Sequence, residues 1–322
     1  MLTMKMALVL ALAAATSIGP ADFPVQRLLK DPEAARTFDY WRLRGDQGPE
    51  AVAPFRAQAN TAIGLKGGEL SATCPTDAGI EVLAGLTGVK SAASSRQWHE
   101  DRVAAAVAVR RLDQAMAALM AGGSSGEPGL DAAIRPFLQR ARTEKTARGR
   151  DLAMRVAKDQ AMRRAFENEA LLGPLSPSAR DLANWPLWSR ICRTDADNVA
   201  WIKQEVRTRG WFEISRYGRE AEKDAWLLVQ HADDDIAFQT EILAVLDKLR
   251  AKGETNPKSY AYLYDRVATN AGRPQRYGTQ GGCRDGQRFT QPLEDPGKVD
   301  QLRAEVGMNT LAEYNAQFTC KP

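Results

Sequence analysis

The chain has 322 residues, 44% of them hydrophobic and 26% charged, so it can bury a large core as one domain or two and is not a disordered polymer. Its 44 basic and 40 acidic residues leave a net charge of only +4, and no long basic block with interleaved aromatics occurs. That balance gives nucleic-acid binding no support.

Near its start the chain has Lys5 and an apolar run from Met6 to Ile18, rich in Ala and Leu, followed by the small residues Gly19 and Ala21. This is the layout of a signal peptide over residues 1–21, with cleavage before Asp22, and the run is too short to span a bilayer comfortably. No cysteine lies near the cleavage point, which argues against a lipid anchor. The expectation is an exported protein, periplasmic or secreted, with no stable membrane insertion after cleavage. Cys74, Cys192, Cys283 and Cys320 form an even set, read as two disulfides in an oxidising compartment. Three pairings are open, although Cys283 in a hairpin turn and Cys320 near the terminus could staple the tail. Without a CxxC, a zinc ribbon or a thioredoxin-like redox motif is not indicated.

Residues 22–121 read as an N-terminal helical region. Short helices and loops, including Phe38, Tyr40 and Trp41, run to Lys90 without a strong period. A long helix then begins near Ser95, with Val109, Leu112, Met116, Leu119 and Met120 on one face, and ends at Gly122. The string GGSSGEPG, residues 122–129, can neither bury apolar surface nor hold a regular backbone. It fits a linker between domains, and it fits equally a loop between antiparallel helices. Residues 130–322 form the C-terminal helical domain. A second long helical pattern runs from Leu130 to about Leu172, with a kink expected near Pro136, and Asp195 and Asp197 are placed to cap a helix carrying Val199, Ile202 and Val206.

The stretch from Asp224 to Gly282 places polar residues inside hydrophobic helical patterns. Ala221, Ala225, Leu228 and Ala232 recur at helical spacing, and Gln230 and His231 close that helix. Asp233, Asp234 or Asp235 can cap the next, which carries Phe238, Ile242, Val245, Leu246 and Leu249 and stops at Gly253. Asn256 and Pro257 supply the cap and first position of a third, lined by Tyr260, Leu263, Tyr264 and Val267. GGCRDG before QRFTQP suggests a two-stranded hairpin within Gln275 to Pro292. The fold class is therefore mainly α, an antiparallel helical domain with one small β-hairpin near the C-terminus.

Several short motifs carry a resemblance. GW at Gly210, QHAD at Gln230 to Asp233, FQ at Phe238, YLYDR at Tyr262 to Arg266 and QRYGTQ at Gln275 to Gln280 occur in order. DQAMR at Asp159, DADN at Asp195 and a closing EDP, VGM and LAEY pattern accompany them. Over roughly residues 150–318 the chain resembles a bacterial family catalogued as a domain of unknown function. The resemblance implies no activity and says nothing of the cysteines or the N-terminal half.

The candidate site is drawn from these motifs. His231, one of two histidines, is the candidate general base, with Asp233 or Asp265 to orient it or act as acid. Arg266 can hold a carboxylate or phosphate in its planar fork. Gln230, Gln239, Gln275, Tyr277, Thr279 and Gln280 complete a polar set expected to converge in one pocket, because buried amides need partners. Each of these also has a purely structural reading, as a helix cap, a satisfied core amide or a surface ion pair. His231, Asp233 and Asp235 offer metal ligands, but without HExxH or a histidine cluster no metal and no cofactor is expected. The one GxSxG match, GGSSG at Gly122 to Gly126, falls inside the linker string, so a serine nucleophile is not indicated. The leading reading is a module that binds a small polar molecule or peptide; the alternative is a hydrolase using His231 as base.

Overall fold

The computed structural model describes residues 17–65, 74–167 and 169–320. The N-terminal run read as a signal peptide lies, up to Thr16, outside them. Among the described residues the chain divides into two compact units: 17–65 with 75–110 and 174–186, and Cys74 with 111–173 and 187–320. Both are helical, and the strands are a single antiparallel pair, so the mainly α class with one C-terminal hairpin holds. No helix among the described residues is long and apolar enough to cross a membrane.

In the first unit, short helices such as Pro32–Thr37 and Ala53–Ile63 surround a longer one, Asp77–Ser91. The sequence reading gave that stretch no period. The reason is burial on nearly all sides: Ala78, Ile80, Val82, Leu83, Leu86 and Val89 are all inside, so no polar face alternates with an apolar one. Phe23, Tyr40, Phe55 and Trp98 pack with it.

The second unit carries the family motifs. The helical pattern from Leu130 is not one kinked rod but separate helices, Pro128–Thr143, Ala147–Phe166 and Glu169–Leu172. Pro136 is accommodated inside the first, and the break falls at Glu144–Thr146. There the Thr146 side chain accepts from the Gly149 amide and starts the next helix, which folds back along its predecessor. The segment 122–129 lies in this unit and closes onto Asp131, which accepts from Ser124 Oγ at 2.5 Å and the Ser125 amide at 2.8 Å.

Asp195 and Asp197 do not cap a helix. The helix Pro177–Arg209 runs straight through them, because their carboxylates are taken by arginines of Ala147–Phe166 instead: Arg163 reaches Asp195 and Arg155 reaches Asp197. That helix ends at Gly210, whose carbonyl accepts from buried Arg148 at 2.7 Å, and Arg148 stacks on Phe212, the residue after Trp211. The three helices of the central stretch form as their patterns dictate, over Arg219–Gln230, Ile236–Arg250 and Pro257–Asn270, with Asp235 and Asn256 as caps. Leu228, Val229, Phe238, Ile242, Leu246 and Leu263 are their shared core.

The hairpin pairs Gly281–Arg284 with Gln287–Thr290. Its turn residues Asp285 and Gly286 both have positive φ, 50° and 72°, the conformation a two-residue hairpin turn requires. Two disulfides form, Cys74–Cys192 and Cys283–Cys320, so the hairpin does hold the tail.

Candidate functional site

The polar residues of the central stretch divide between two places, and the helix Pro257–Asn270 joins them. Successive residues on a helix point about 100° apart, so its neighbours Asp265 and Arg266 serve different ends.

Asp265 is fully buried and takes the backbone amides of Arg276, Tyr277 and Thr279 at 2.8, 2.9 and 2.8 Å. Burial raises its pKa and those amides oppose the rise. Gln275 closes the same loop, donating to the Gln280 and Gln291 carbonyls at 2.8 and 2.9 Å and accepting from the Gln280 amide at 2.8 Å. The Gln280 side chain donates to Thr279 Oγ1 at 3.1 Å. The Tyr277 carbonyl accepts from Arg303, which is wholly buried. Gly278 sits at φ 70°, and a Cβ there would lie 2.7 Å from the Leu311 side chain, so glycine alone fits. The YGTQ loop is thus closed by its own chain.

Arg266 turns the other way. Its Nε donates to Gln230 Oε1 at 2.8 Å and its Nη1 to both Asp233 oxygens at 2.7 Å. Gln239 is fully buried behind them and donates to the Val229 carbonyl at 3.1 Å, tying the start of one helix to the end of another.

Beside this cluster a cleft of about 1100 Å³ opens within the second unit. Of the residues chosen from sequence, His231 and Asp233 line it; Gln230, Gln239, Asp265, Arg266, Gln275, Tyr277, Thr279 and Gln280 are not in its walls. Instead the helices Ala147–Phe166 and Pro177–Arg209 supply Arg163, Phe166, Trp188, Asp195, Val199 and Lys203.

His231 is held by a residue outside the central stretch. Its Nδ1 lies 2.9 Å from Oδ1 of Asp159, whose side chain is 1% exposed. Gln160 donates to the other oxygen of Asp159 at 2.8 Å. Arg163, one turn along the helix, reaches Asp195 at 2.7 and 2.9 Å and Asp159 at 3.3 Å. Burial alone would raise the Asp159 pKa, but His231, Arg163 and Gln160 hold it below the usual carboxylate value. An ionised carboxylate only accepts, so Nδ1 carries the hydrogen of this contact and Nε2 is the ring nitrogen not used in it. Asp195 goes the other way: burial and the neighbouring Asp159 charge push it up to about 7, against the pull of Arg163. The two adjacent acids are thus shifted in opposite directions, a pattern that acid–base chemistry uses.

One atom each from Asp159, Asp195 and His231 lies within 4.8 Å of the others, the spacing of a possible metal group. Arg163 already supplies the positive charge between the two carboxylates, so these residues do not call for a cation. Asp233 and Asp235 do not join that group: Asp233 faces Arg266, and Asp235 caps its helix and pairs with Lys203.

The family model described as a family of unknown function, DUF6624, matches residues 149–319, more than half of the chain. The chain belongs to this family. No curated protein and no solved structure matches it. The matched span contains His231, Asp159, Arg163 and Asp195, together with the loop built on Asp265. In the sequence, DQAMR and DADN stand only as marks of resemblance. The Asp159 and Arg163 spacing of four, one turn on a single helix face, was the available signal that the two act together.

Proposed function

We propose that the cleft is a general acid–base site and that the protein is an exported hydrolase of a small polar molecule or peptide. The observation that carries this reading is the contact of His231 with buried Asp159 at the wall of a cleft large enough for a small ligand. In the step we infer, His231 Nε2 takes a proton from water as the water oxygen attacks the scissile carbon. Asp195, protonated near neutral pH, gives its proton to the leaving group, and solvent returns the proton from His231 to Asp195. Asp159 fixes the tautomer of His231 and offsets its charge while it is protonated. Arg163 holds Asp195 in place. Asp233 is proposed as a ligand contact at the rim rather than the partner of His231, and Gln230, Gln239 and Arg266 as the support that orients the His231–Asp233 turn. Asp265 and the Gln275–Gln280 loop are proposed as scaffold. Export, to the periplasm or beyond, is supported by the signal-like N-terminal run and by the two disulfides.

The test is a panel of chromogenic esters and amides with the full chain and its His231→Ala and Asp159→Asn variants. Turnover that falls about 100-fold or more in both variants, with unchanged circular dichroism, is the expected result. A ligand that raises the melting temperature of the wild type with no turnover of any panel member would instead favour a binding module.

A further inference from the structure

The walls of the cleft are of two kinds. One is apolar, with Phe166, Trp188, Ile191 and Val199 beside the Cys74–Cys192 disulfide. The other is charged, and one of its carboxylates is left unpaired. Five carboxylates (Glu167, Asp195, Asp233, Asp234 and Asp235) face three cations (Arg163, Arg193 and Lys203). Four of these acids are paired, Asp195 with Arg163, Asp235 with Lys203, Asp233 with Arg266 from behind the wall, and Glu167 with Arg164 at 3.4 Å. Arg163 and Lys203 are already engaged by carboxylates of the site, so neither offers an incoming anion an unshared charge. Asp234 has no hydrogen-bond or ion-pair partner among the described residues. Partial burial and the adjacent Asp233 charge raise its pKa, so a positive group there would relieve both effects. Only Ala232 and Asp233 separate His231 from Asp234, and the chain cannot hold their Cα atoms more than about 10 Å apart. A charged group at the rim and a bond at His231 therefore fit on one small molecule.

From this cavity we infer a substrate class: a compound with an ammonium group on an apolar body, the simplest being an apolar α-amino-acyl ester or amide. The ammonium sits at Asp234, the side chain lies against the Trp188 wall, and the acyl carbon faces His231. The inference rests on the acid–base reading of the same cleft. For an amide the balance is hydrolytic: water adds to the carbonyl carbon, the C–N bond breaks, and the products are the amino acid and ammonia, which takes a proton in water.

The experiment uses the full chain with three probes of similar bulk: phenylalaninamide (cation), N-acetylphenylalaninamide (neutral) and phenylpropanoate (anion). Calorimetry at low salt is expected to give phenylalaninamide a Kd at least about tenfold below that of the neutral probe, with the anion weakest. Asp234→Asn, an exposed change that leaves packing intact, should bring cation and neutral probe within about threefold of each other. Added salt should shrink the wild-type preference, since the contact is partly exposed. Equal or reversed affinities, no binding of the cation, or a preference that survives Asp234→Asn would overturn the inference. Ammonia release separates the two proposals. Cation preference without His231-dependent release from any amide removes the hydrolase and leaves the selectivity; His231-dependent release from the neutral probe with no cation preference does the reverse.

Discussion

Asp159 and Asp265 are both buried carboxylates in the same unit, yet their surroundings differ in kind. Asp265 is satisfied by three amides of one loop, groups that neither titrate nor move without unfolding the loop. Asp159 is satisfied by His231, Gln160 and Arg163, side chains that can exchange protons or partners, and two of them line a cleft. A buried acid that meets backbone amides holds a loop in shape, whereas one that meets titratable groups at a cavity can take part in chemistry. Burial does not separate the two roles; the identity of the partners does.

The comparison can be broken first at Asp265. Asp265→Ala leaves three buried amides without an acceptor and should cost about 3 kcal/mol or more, read as a lower urea midpoint. An unchanged midpoint would remove the scaffold role. His231→Ala should do the opposite, costing about 1 kcal/mol or less of stability while lowering turnover about 100-fold, equivalent to about 2.7 kcal/mol. A large loss of stability with little effect on turnover would make His231 a core residue like Asp265. Gly278→Ala forces a side chain into a left-handed backbone against Leu311 and should cost about 1–3 kcal/mol without touching the cleft.

The smallest effect is the most discriminating. Asp195 titrates at about 7 in the folded chain, above its ordinary value of 3.8, so the folded state binds more protons between those limits. Its contribution is fully present below about pH 4 and is lost as pH rises through 7. Asp195→Asn removes that loss: the variant should melt about 2–4 °C above the wild type at pH 8, gain little at pH 4, and have lost turnover. Asp224, which burial also pushes up to about 7, keeps its own pH slope in both proteins. A variant that is destabilised at pH 8 would show that the Arg163–Asp195 pair outweighs the burial of the acid.

Much of the fold was legible because its causes are local. The caps Asp235 and Asn256, Pro257 at a helix start and the Asp285–Gly286 turn act within a few residues and can be read directly. The break at Thr146 was missed because a two-face helical pattern continues across it, and Asp77–Ser91 because a helix buried all round has no period. Asp195 and Asp197 were read as a cap because an acid before an apolar run has that local use. Arginines from another helix claimed them instead.

The sequence by itself determined the helical class, the hairpin and the even cysteine set, and it singled out His231 as a candidate. Local backbone preference and side-chain period decide those features without reference to the rest of the chain. Tertiary structure alone decided which cysteines pair, and which acid stands beside His231. Asp159 lies 72 positions before His231, and no spacing rule links residues brought together by the packing of two helices. It also decided that Asp265 and Arg266, adjacent in one motif, face different surroundings, since a helix turns consecutive side chains apart and each meets whatever the fold has placed there.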